Sequence, residues 1–560
     1  MKKIIECVPN FSEGRDMAVI EKITDEIKKV DGVKLLDVDP GKATNRTVVT
    51  FVGEPDSVVE AAFNAIKKAA ELIDMSKHRG EHPRMGATDV CPLIPVSGVT
   101  MEETVQYARK LAKRVGEELG IPVYLYEEAA TTPERRNLAV IRAGEYEGLE
   151  KKLQDPKWIP DFGPAKFNPK TGATVIGARD FLVAYNINLN TTSTRRANAV
   201  AFDIREKGRV KREGDPLTGK IVRDKDGKPV RIPGALKHVK AIGWFIEEYG
   251  IAQVSVNLTN INETPLHRVF EEAEKSANKR GMRVTGSELV GLVPKKVLLE
   301  AGKHFLEKQQ RSTGIPEEDI IFIAVKSLGL DDLAPFDPKK KVIEYLLEDD
   351  SQSKLVDMTV KEFAGETSRE SPAPGGGSIA AYTGALGAAL GTMVANLSSH
   401  KRGWDSRWKE FSDWAVKGQD IKDRLLFLVD EDTNAFNKII DAIRLPKNSD
   451  EEKQKRTKAI EEATKYAIEI PFKVMQTALE AYDLLEYMAN EGNPNSVSDA
   501  GVGALAVKTA VEGAFMNVKI NCKDLDDENF VNDILNKAQG ILEESEKRAG
   551  EIVKTVYGKI

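Results

Sequence analysis

Along the first hundred residues the apolar positions switch repeatedly between a two-residue period and a helical one. Lys3–Val8 reads as a strand, Met17–Val30 as a helix, Val33–Val38 and Arg46–Val52 as strands, Asp56–Ile73 as an amphipathic helix, and Val90–Val96 as a strand. This β-α-β-β-α-β order is the split βαβ plan of ferredoxin-like domains. A helix at Glu102–Leu119 and a strand at Pro122–Tyr126 follow. The order then recurs, with strands at Phe181–Leu189, Val239–Ile246, Ala252–Leu258 and Met282–Leu292 and helices at Ser193–Lys207 and Pro265–Lys279. The repetition is one of element order, since the two stretches share little sequence. The pattern therefore predicts an α+β half built of two tandem ferredoxin-like βαββαβ subdomains, residues 1–180 and 181–330. Gly208–Pro233, rich in Lys, Arg and Asp and carrying the turn "KDGKP", interrupts the second repeat and is expected to be a solvated β-hairpin.

Residues 331–358, with proline breaks and charge runs, read as a linker. Beyond it nearly everything has helical spacing: Val360–Thr367, Ser378–Ser399, Trp404–Arg444, Asp450–Glu486, Ser498–Asn517 and Glu528–Tyr557. Residues 359–560 are expected to form an all-α helical bundle domain. Ser378–Ser399 carries no charge and is long enough to span a bilayer. It consists largely of Ala, Gly, Ser and Thr, which suits close packing against other helices, so no membrane partner is expected.

The bulk numbers add limits. A chain of 560 residues exceeds one core. A net charge of −6 gives no electrostatic reason to expect nucleic acid or an anionic membrane as partner. Cys7, Cys91 and Cys522 are too scattered for a disulfide framework or a CxxC site, and the opening "MKKIIECVPNFSEG" is too short in apolar residues for a signal core. A cytoplasmic setting is expected.

The stretch "SKHRGEHPRMGATDVCPLIPV", Ser76–Val96, holds the densest chemistry. His78, Glu81 and His82 spell H-x-x-E-H, an inverted zinc-protease pattern that needs both histidines on one helix face. Gly80 lies between them, and Pro83 disfavours the α conformation at His82, so a metal site is not expected. A lone imidazole, with an ordinary pKa of about 6.5, suits proton transfer near neutrality. "GPAKFNPKTG", residues 163–172, is a Gly/Pro-rich loop joining the two repeats, and a cleft between similar domains is a usual ligand location. Asn10, Ser12, Asp39 and Arg46, polar residues beside strand ends, are candidates to line it, with turn chemistry as the alternative. Arg84 and Lys170 are candidates to meet substrate carboxylates.

In the helical part, "VDEDTNAF" sets Asp430, Glu431 and Asp432 in different directions round a helix. By charge pattern they form a solvated acidic face; an inward Asp432 would have a raised pKa suited to proton transfer. "SPAPGGGSIAA", Ser371–Ala381, is a Gly-rich helix entry whose N–H groups suit an anion, without a P-loop signature. "NPNSVSDAGVGALA" puts Asp499 at a helix start, where capping alone would explain it.

Several of these stretches occur together in one family. "HRGEHPRMGATDVCPLIPV" resembles the signature of glutamate formimidoyltransferases, and "VPNFSEGRD", Val8–Asp16, their N-terminal motif. Asp161–Thr191 is similar to their folate-binding segment, and Asp432-x-x-Ala435-Phe436 and the Asn493–Ala506 stretch are similar to cyclodeaminase motifs. From about residue 1 to residue 555 the chain resembles the formimidoyltransferase-cyclodeaminase family. The resemblance implies a bifunctional enzyme of histidine breakdown. It would transfer a formimidoyl group from formimidoyl-glutamate to N5 of tetrahydrofolate, its co-substrate, and then cyclise the product to 5,10-methenyltetrahydrofolate with loss of ammonia. It implies His82 and Asp432 as catalytic residues. It further implies Gly163, Pro164, Ala165, Lys166, Phe167, Asn168, Pro169, Lys170, Thr171 and Gly172 as the folate-contacting loop, with Asp499 a lesser candidate. A homo-oligomer is expected, as is polyglutamylated folate, and no metal is required. Three alternatives stand beside this: a C-terminal methenyltetrahydrofolate cyclohydrolase, a metal-dependent hydrolase on His78, Glu81 and His82, and a non-catalytic folate-binding scaffold.

Overall fold

The period-two stretches at the start of the chain form one mixed sheet. The computed structural model describes residues 3–42, 44–80, 83–214, 218–347, 354–371 and 373–560. Its first elements are β1 (Ile4–Cys7), β2 (Asn10–Phe11), α1 (Met17–Lys28), β3 (Val33–Gly41), β4 (Arg46–Gly53), α2 (Pro55–Leu72), β5 (Thr88–Ser97), α3 (Met101–Glu118), β6 (Val123–Glu127), α4 (Leu138–Ile141), α5 (Leu149–Leu153) and β7 (Thr174–Ala178). β1 and β2 act as one strand interrupted at Pro9, and both pair antiparallel with β4 and β5. β3 pairs with β4, while β7 adds parallel to β5 and β6 parallel to β7. Asp16 caps α1 through the Ala18 N–H at 3.0 Å, and a Thr100–Glu103 capping box opens α3. The helices bury their apolar stripes, Ile23 and Ile27, Val58, Ala62 and Ile66, Leu111 and Val115, against Ile5, Phe51 and Leu93 of the sheet.

The second repeat contains β8 (Val183–Leu189), α6 (Thr194–Ile204), β9 (Arg209–Val210), β10 (Arg231–Ile232), β11 (Val239–Ile246), β12 (Ile251–Leu258), α7 (Leu266–Asn278) and β13 (Val284–Val290). Its sheet runs β11-β12-β8-β13, every neighbour antiparallel. Counting strands within each repeat, both sheets follow the order 2-3-1-4. Gly243 lets β11 meet α6: a Cβ there would lie 2.2 Å from the Asn198 nitrogen, and the Asn198 amide brackets Gly243 by accepting from its N–H at 3.0 Å and donating to its carbonyl at 3.1 Å. Within the insertion, β9 pairs with β10, and Asp224 accepts from the Asp226 and Lys228 N–H groups in the turn.

The remaining elements are α8 (Lys295–Lys308), α9 (Glu317–Leu328), α10 (Pro338–Lys341), α11 (Ile343–Leu347), α12 (Val360–Thr367), α13 (Gly376–Ser399), α14 (Trp408–Arg444), α15 (Asp450–Glu491), α16 (Val497–Asn521) and α17 (Glu528–Tyr557). The chain divides into two units, Met1–Val297 with Leu328–Glu348, and Leu298–Ser327 with Asp349–Ile560. Most of α8 and α9, which the sequence placed with the second repeat, thus belongs to the helical unit. There the Thr313 N–H donates to Ser412 Oγ at 3.0 Å, and the Gly314 carbonyl accepts from Asn396 and Gln419 at 2.9 and 3.2 Å. Of the stretch read as a linker, the part carrying α10 and α11 stays with the α/β unit, where Val342 bridges to Val293 and the Lys295 N–H donates to Glu344 at 2.7 Å, while Leu355 packs in the core of the helical unit.

α13 lies against α14, α15 and α16. Its glycines set the spacing, since a Cβ on Gly387 would fall 2.7 Å from Val507 and 2.9 Å from the Gly503 carbonyl. It is also long and apolar enough to cross a membrane, and 61% of its most apolar stretch is buried within the structure.

One buried acid in the first sheet is not explained by packing. Glu6 on β1 is 5% exposed, and burial pushes its carboxyl from the ordinary 4.5 to about 7, with Arg179 drawing it part of the way back. Because the folded value lies above the unfolded one, the stability it contributes is complete below about pH 4.5 and lost as pH rises through about 7. Glu6→Gln is expected to show no advantage near pH 4.5 and a gain of up to about 3 kcal/mol at pH 8, read from urea unfolding at both pH values. A glutamine variant no more stable than the parent at pH 8 contradicts this.

Candidate active sites

The chain leaves α2 at Leu72 and passes through a turn before reaching His78, so His78 is not on a helix. Its ring is buried and fully engaged. Nε2 donates to the Asn45 carbonyl at 2.8 Å, and Nδ1 accepts from Arg84 Nε at 3.3 Å. Burial, with Arg84 beside the ring, lowers its pKa and keeps it neutral. An imidazole with both nitrogens committed and a guanidinium against one of them is poorly placed to bind a cation. Glu81 and His82 lie outside the described residues.

Pro83, the residue after His82, lines a cleft of about 600 Å³ within the α/β unit. One wall comes from the first repeat, with Tyr126, Glu127, Arg142, Glu145 and Arg179. The other comes from the second, with His238, Lys240 and Asn260. Three non-glycine residues in its lining hold left-handed backbone: Glu127, Glu145 and His238, with φ of 52°, 53° and 54°. Such conformations persist where the surroundings over-determine them, and they cluster at ligand sites. His238 is held by its N–H donating to Glu206 at 2.8 Å, and its Nε2 meets Glu263 at 2.8 Å. Burial raises the Glu127 carboxyl, opposed by Lys240 and Arg179, and burial pushes the Tyr126 phenol up to about 12.

Beneath this wall sits Asp89, fully buried. It accepts from the Met85 N–H at 3.0 Å, from Arg46 at 3.2 Å and from Arg142, whose guanidinium reaches both of its oxygens. Arg46 in turn donates to Asn10 Oδ1 at 2.6 and 3.0 Å, and burial lowers its pKa to about 10, with Asp89 opposing. Asn10 and Arg46, expected beside strand ends at the cleft, are therefore placed under it rather than in its lining. Asp39 is exposed on β3 opposite Val48 and is likewise absent from the lining.

Residues 163–172 are tied to the His82 motif by backbone. The Ala87 N–H donates to the Thr171 carbonyl at 2.8 Å, and Gly86 bridges to Gly172. Gly172, with φ of 64°, permits this approach, since a Cβ would lie 2.2 Å from the Met85 carbonyl. Ser12 joins the same knot through Gly86, its Oγ donating to that carbonyl at 2.7 Å. Gly163–Lys166 and Asn168–Lys170 are exposed, while Phe167 packs on Tyr146 with ring centroids 5.5 Å apart. The structure thus brings the loop, Ser12 and the segment after His82 together, but none of the loop lines the large cleft. Two cations expected to meet substrate are committed elsewhere. Arg84 pairs with Glu147 at 2.6 and 2.8 Å and with Glu145 at 3.3 Å, and the Glu147 hydrogen bond raises its pKa. Lys170 donates to the Glu71 carbonyl at the end of α2 at 2.8 Å.

In the helical unit the three consecutive acids of α14 go three ways. Asp430 accepts from the Leu355 N–H at 2.7 Å. Glu431 is held by Tyr466, Asn434 and Lys438. Asp432 faces the start of α13, accepting from Ser378 Oγ at 3.0 Å. Burial raises its pKa, while hydrogen bonds from the Ser378 hydroxyl and backbone act against the shift. The group seated at the Gly-rich entry is the Asp432 carboxyl. A Cβ on Gly377 would fall 2.2 Å from Asp432 Oδ1, so only glycine admits the contact. Asp432 opens on a cavity of about 140 Å³ that is also lined by Gly375, Thr433, Phe436, Asn517 and Asn521. Asp499 lies in the first turn of α16, where Ser496 is the cap residue, and it is not among the residues of this cavity.

The sequence reading missed Asp89, Arg142, Glu127, Arg179 and His238. Asp89 carried a signal, an acid inside the apolar run of a strand; the others lie at strand ends or in segments without periodicity.

Comparison with known proteins agrees with both halves. The family model "Formiminotransferase domain, N-terminal subdomain" matches residues 4–179, "Formiminotransferase domain" matches 184–348, and "Formiminotransferase-cyclodeaminase" matches 359–540. The mouse formimidoyltransferase-cyclodeaminase is 45% identical over 560 residues, covering 100% of both chains. The chain belongs to the formimidoyltransferase-cyclodeaminase family. Each half also has relatives of its own. A glutamate formimidoyltransferase of Streptococcus pyogenes is 43% identical over 307 residues, 55% of this chain and 94% of that one. A methenyltetrahydrofolate cyclohydrolase of Methylorubrum extorquens is 36% identical over 202 residues, 36% of this chain and 97% of that one.

Asp89→Asn leaves two half-buried guanidiniums without the buried carboxylate they share. It is expected to destabilise the α/β unit by about 3–5 kcal/mol in urea unfolding and, through Arg142, to raise the KM of whatever binds the cleft. A variant with the parent's unfolding midpoint contradicts the role given to Asp89.

Proposed function

We propose that the chain catalyses two consecutive folate reactions of histidine degradation, one in each unit. The α/β unit transfers the formimidoyl group from N-formimidoyl-L-glutamate to N5 of tetrahydrofolate. The helical unit closes N10 onto the formimidoyl carbon, yielding 5,10-methenyltetrahydrofolate and ammonia.

In the first step N5 gives up a proton as it attacks the amidine carbon, and the glutamate nitrogen leaves. We assign that proton to His82, whose neighbour Pro83 lines the large cleft, and the folate contact to residues 163–172. No metal enters either step in this reading. A shared strand order of 2-3-1-4 supports taking both α/β repeats as ferredoxin-like. For the second step the carrying observation is Asp432, set against the start of α13 at the mouth of a small cavity. A carboxyl raised by burial is suited to take the N10 proton and return it to departing ammonia. The cyclohydrolase relative favours a second reading, in which the helical unit hydrolyses methenyltetrahydrofolate. We also take the protein to be a cytoplasmic homo-oligomer. The exposed apolar side chains Leu386, Met393 and Leu397 on α13 and Val502, Leu505 and Met516 on α16 support an assembly face.

Given formimidoyl-glutamate and tetrahydrofolate, His82→Ala is expected to slow transfer by about 10²–10⁴-fold while still converting supplied 5-formimidoyltetrahydrofolate. Asp432→Ala is expected to do the reverse and accumulate 5-formimidoyltetrahydrofolate. Transfer at the parent's rate without the imidazole, or methenyl absorbance at the parent's rate without the carboxyl, removes the corresponding assignment. If methenyltetrahydrofolate is hydrolysed and no ammonia is released, the second reading replaces the first.

Burial also fixes the direction of a pH effect. Cyclisation needs Asp432 ionised to accept the N10 proton, so its rate is expected to fall on acidification at a pH above the ordinary aspartate value of 3.8. A limb at or below that value contradicts a desolvated base.

A further inference from the structure

Threonine hydroxyls inside helices ordinarily close onto the carbonyl four residues back. In this chain Thr383, Thr392 and Thr464 do so at 2.8 Å, and Thr509 and Thr555 at 3.0 Å. Thr433 on α14 does not. Its Oγ1 is buried and has no hydrogen-bond partner among the described residues, and Thr433 lines the cavity of its neighbour Asp432. A buried hydroxyl that forgoes an available local bond is a group held for something else.

The other polar side chains at that cavity each make at least one hydrogen bond within the protein. Ser378 Oγ donates to Asp432 at 3.0 Å, the Asn517 amide to the Gly513 carbonyl at 2.8 Å, and the Asn521 amide to the Ala467 carbonyl at 2.8 Å. Ala373, Ala435, Phe436, Ile439 and Ala467 make much of the remaining wall apolar. The Thr433 hydroxyl, beside the carboxyl that moves the proton, is the side-chain hydroxyl there with no partner among the described residues.

We infer that Thr433 is a catalytic residue of the cyclodeaminase, its Oγ1 binding the formimidoyl nitrogen that departs as ammonia. This rests on the cyclodeaminase reading above. In the reaction N10 bonds to the formimidoyl carbon, and the C=N π pair passes to the exocyclic nitrogen. The N10 proton goes to the Asp432 carboxylate. The carbon–nitrogen bond then breaks with its electron pair on nitrogen, which takes the proton from Asp432 and leaves as ammonia, and the protonated amidine's positive charge remains on the methenyl product. A hydroxyl both donates and accepts, so Thr433 can follow that nitrogen from imine to amine to ammonia. As the neighbour of Asp432, it holds the nitrogen where the proton arrives.

The test uses the full-length protein with Thr433→Val, which keeps the shape and removes the oxygen, and Thr433→Ser, which keeps the oxygen. With 5-formimidoyltetrahydrofolate as substrate, Thr433→Val is expected to lose about 10- to 100-fold in kcat with little change in KM, and Thr433→Ser to recover most of it. In the reverse direction, with 5,10-methenyltetrahydrofolate and ammonium chloride as the probe, Thr433→Val is expected to need about tenfold more ammonium for half-saturation. Its thermal midpoint should not fall, because no internal hydrogen bond is lost. Parent kcat and parent ammonium dependence in Thr433→Val overturn the inference, as does an equal loss in Thr433→Ser or a lowered midpoint. A parent protein that releases no ammonia overturns the cyclodeaminase reading and this inference with it; an active parent beside an unaffected valine variant overturns the inference alone.

Discussion

The helical unit is organised by one close approach, that of the Asp432 carboxylate to the first turn of α13. A side chain at position 377 would collide with it at 2.2 Å. Further along α13 the same demand for space recurs at Gly384, Gly387 and Gly391, whose missing Cβ atoms let α15 and α16 come near. A helix of such small residues contributes little apolar area of its own. Its part is to bring its neighbours together around a shared core of alanine, leucine and valine. The glycines of a helix apolar enough to resemble a membrane span are thus what make it the axis of a bundle, and Gly377 also seats the acid.

The two units use a carboxylate in opposite ways. Asp89 is wholly enclosed and meets two guanidiniums and a backbone N–H. A carboxylate so paired serves as a fixed post, here beneath Arg142 at the cleft. Asp432 receives a hydroxyl and a backbone N–H and, among the described residues, no cation, so burial wins and its pKa rises. The first arrangement gives rigidity; the second gives a carboxyl held above its ordinary range. Sequence alone does not show this contrast: Asp89 stands in the apolar run of a strand, whereas Asp432 follows two other acids in a stretch that reads as a solvated face.

What was legible in the chain follows from how far the deciding interactions lie along it. Period and capping are local, so the β-α-β-β-α-β order of both repeats and the long helices could be read directly, as could the hairpin at "KDGKP". α8 and α9 were missed because the segment falls between a recognisable strand and a recognisable break, and their grouping with α14 depends on contacts such as Thr313 with Ser412, 99 residues apart. Arg84 and Lys170 read as free cations because Glu147 and the Glu71 carbonyl, 63 and 99 residues away, cannot be paired with them from sequence. Asp432 lay within the best-defined helical motif, yet its inward aim became decidable only when the partners of Asp430 and Glu431 were seen.

The chemistry also sets a condition that the two units meet by different routes. In the function proposed above, both steps move a proton from a folate nitrogen to a side chain, in one protein and therefore at one pH. An imidazole needs no help, because its ordinary range already lies near neutrality. An aspartate begins at 3.8, where it is a weak base and a poor partner for ammonia. Raising it requires that cations be kept away and that solvent be largely excluded. The groups that meet Asp432 in the structure are the Ser378 hydroxyl and backbone, with Gly377 pressed against it. A lysine or arginine brought into that cavity would improve the local electrostatics and spoil the base. The sparse lining around Asp432 is therefore what lets burial raise its carboxyl, as the crowded one around Asp89 holds that carboxylate in place.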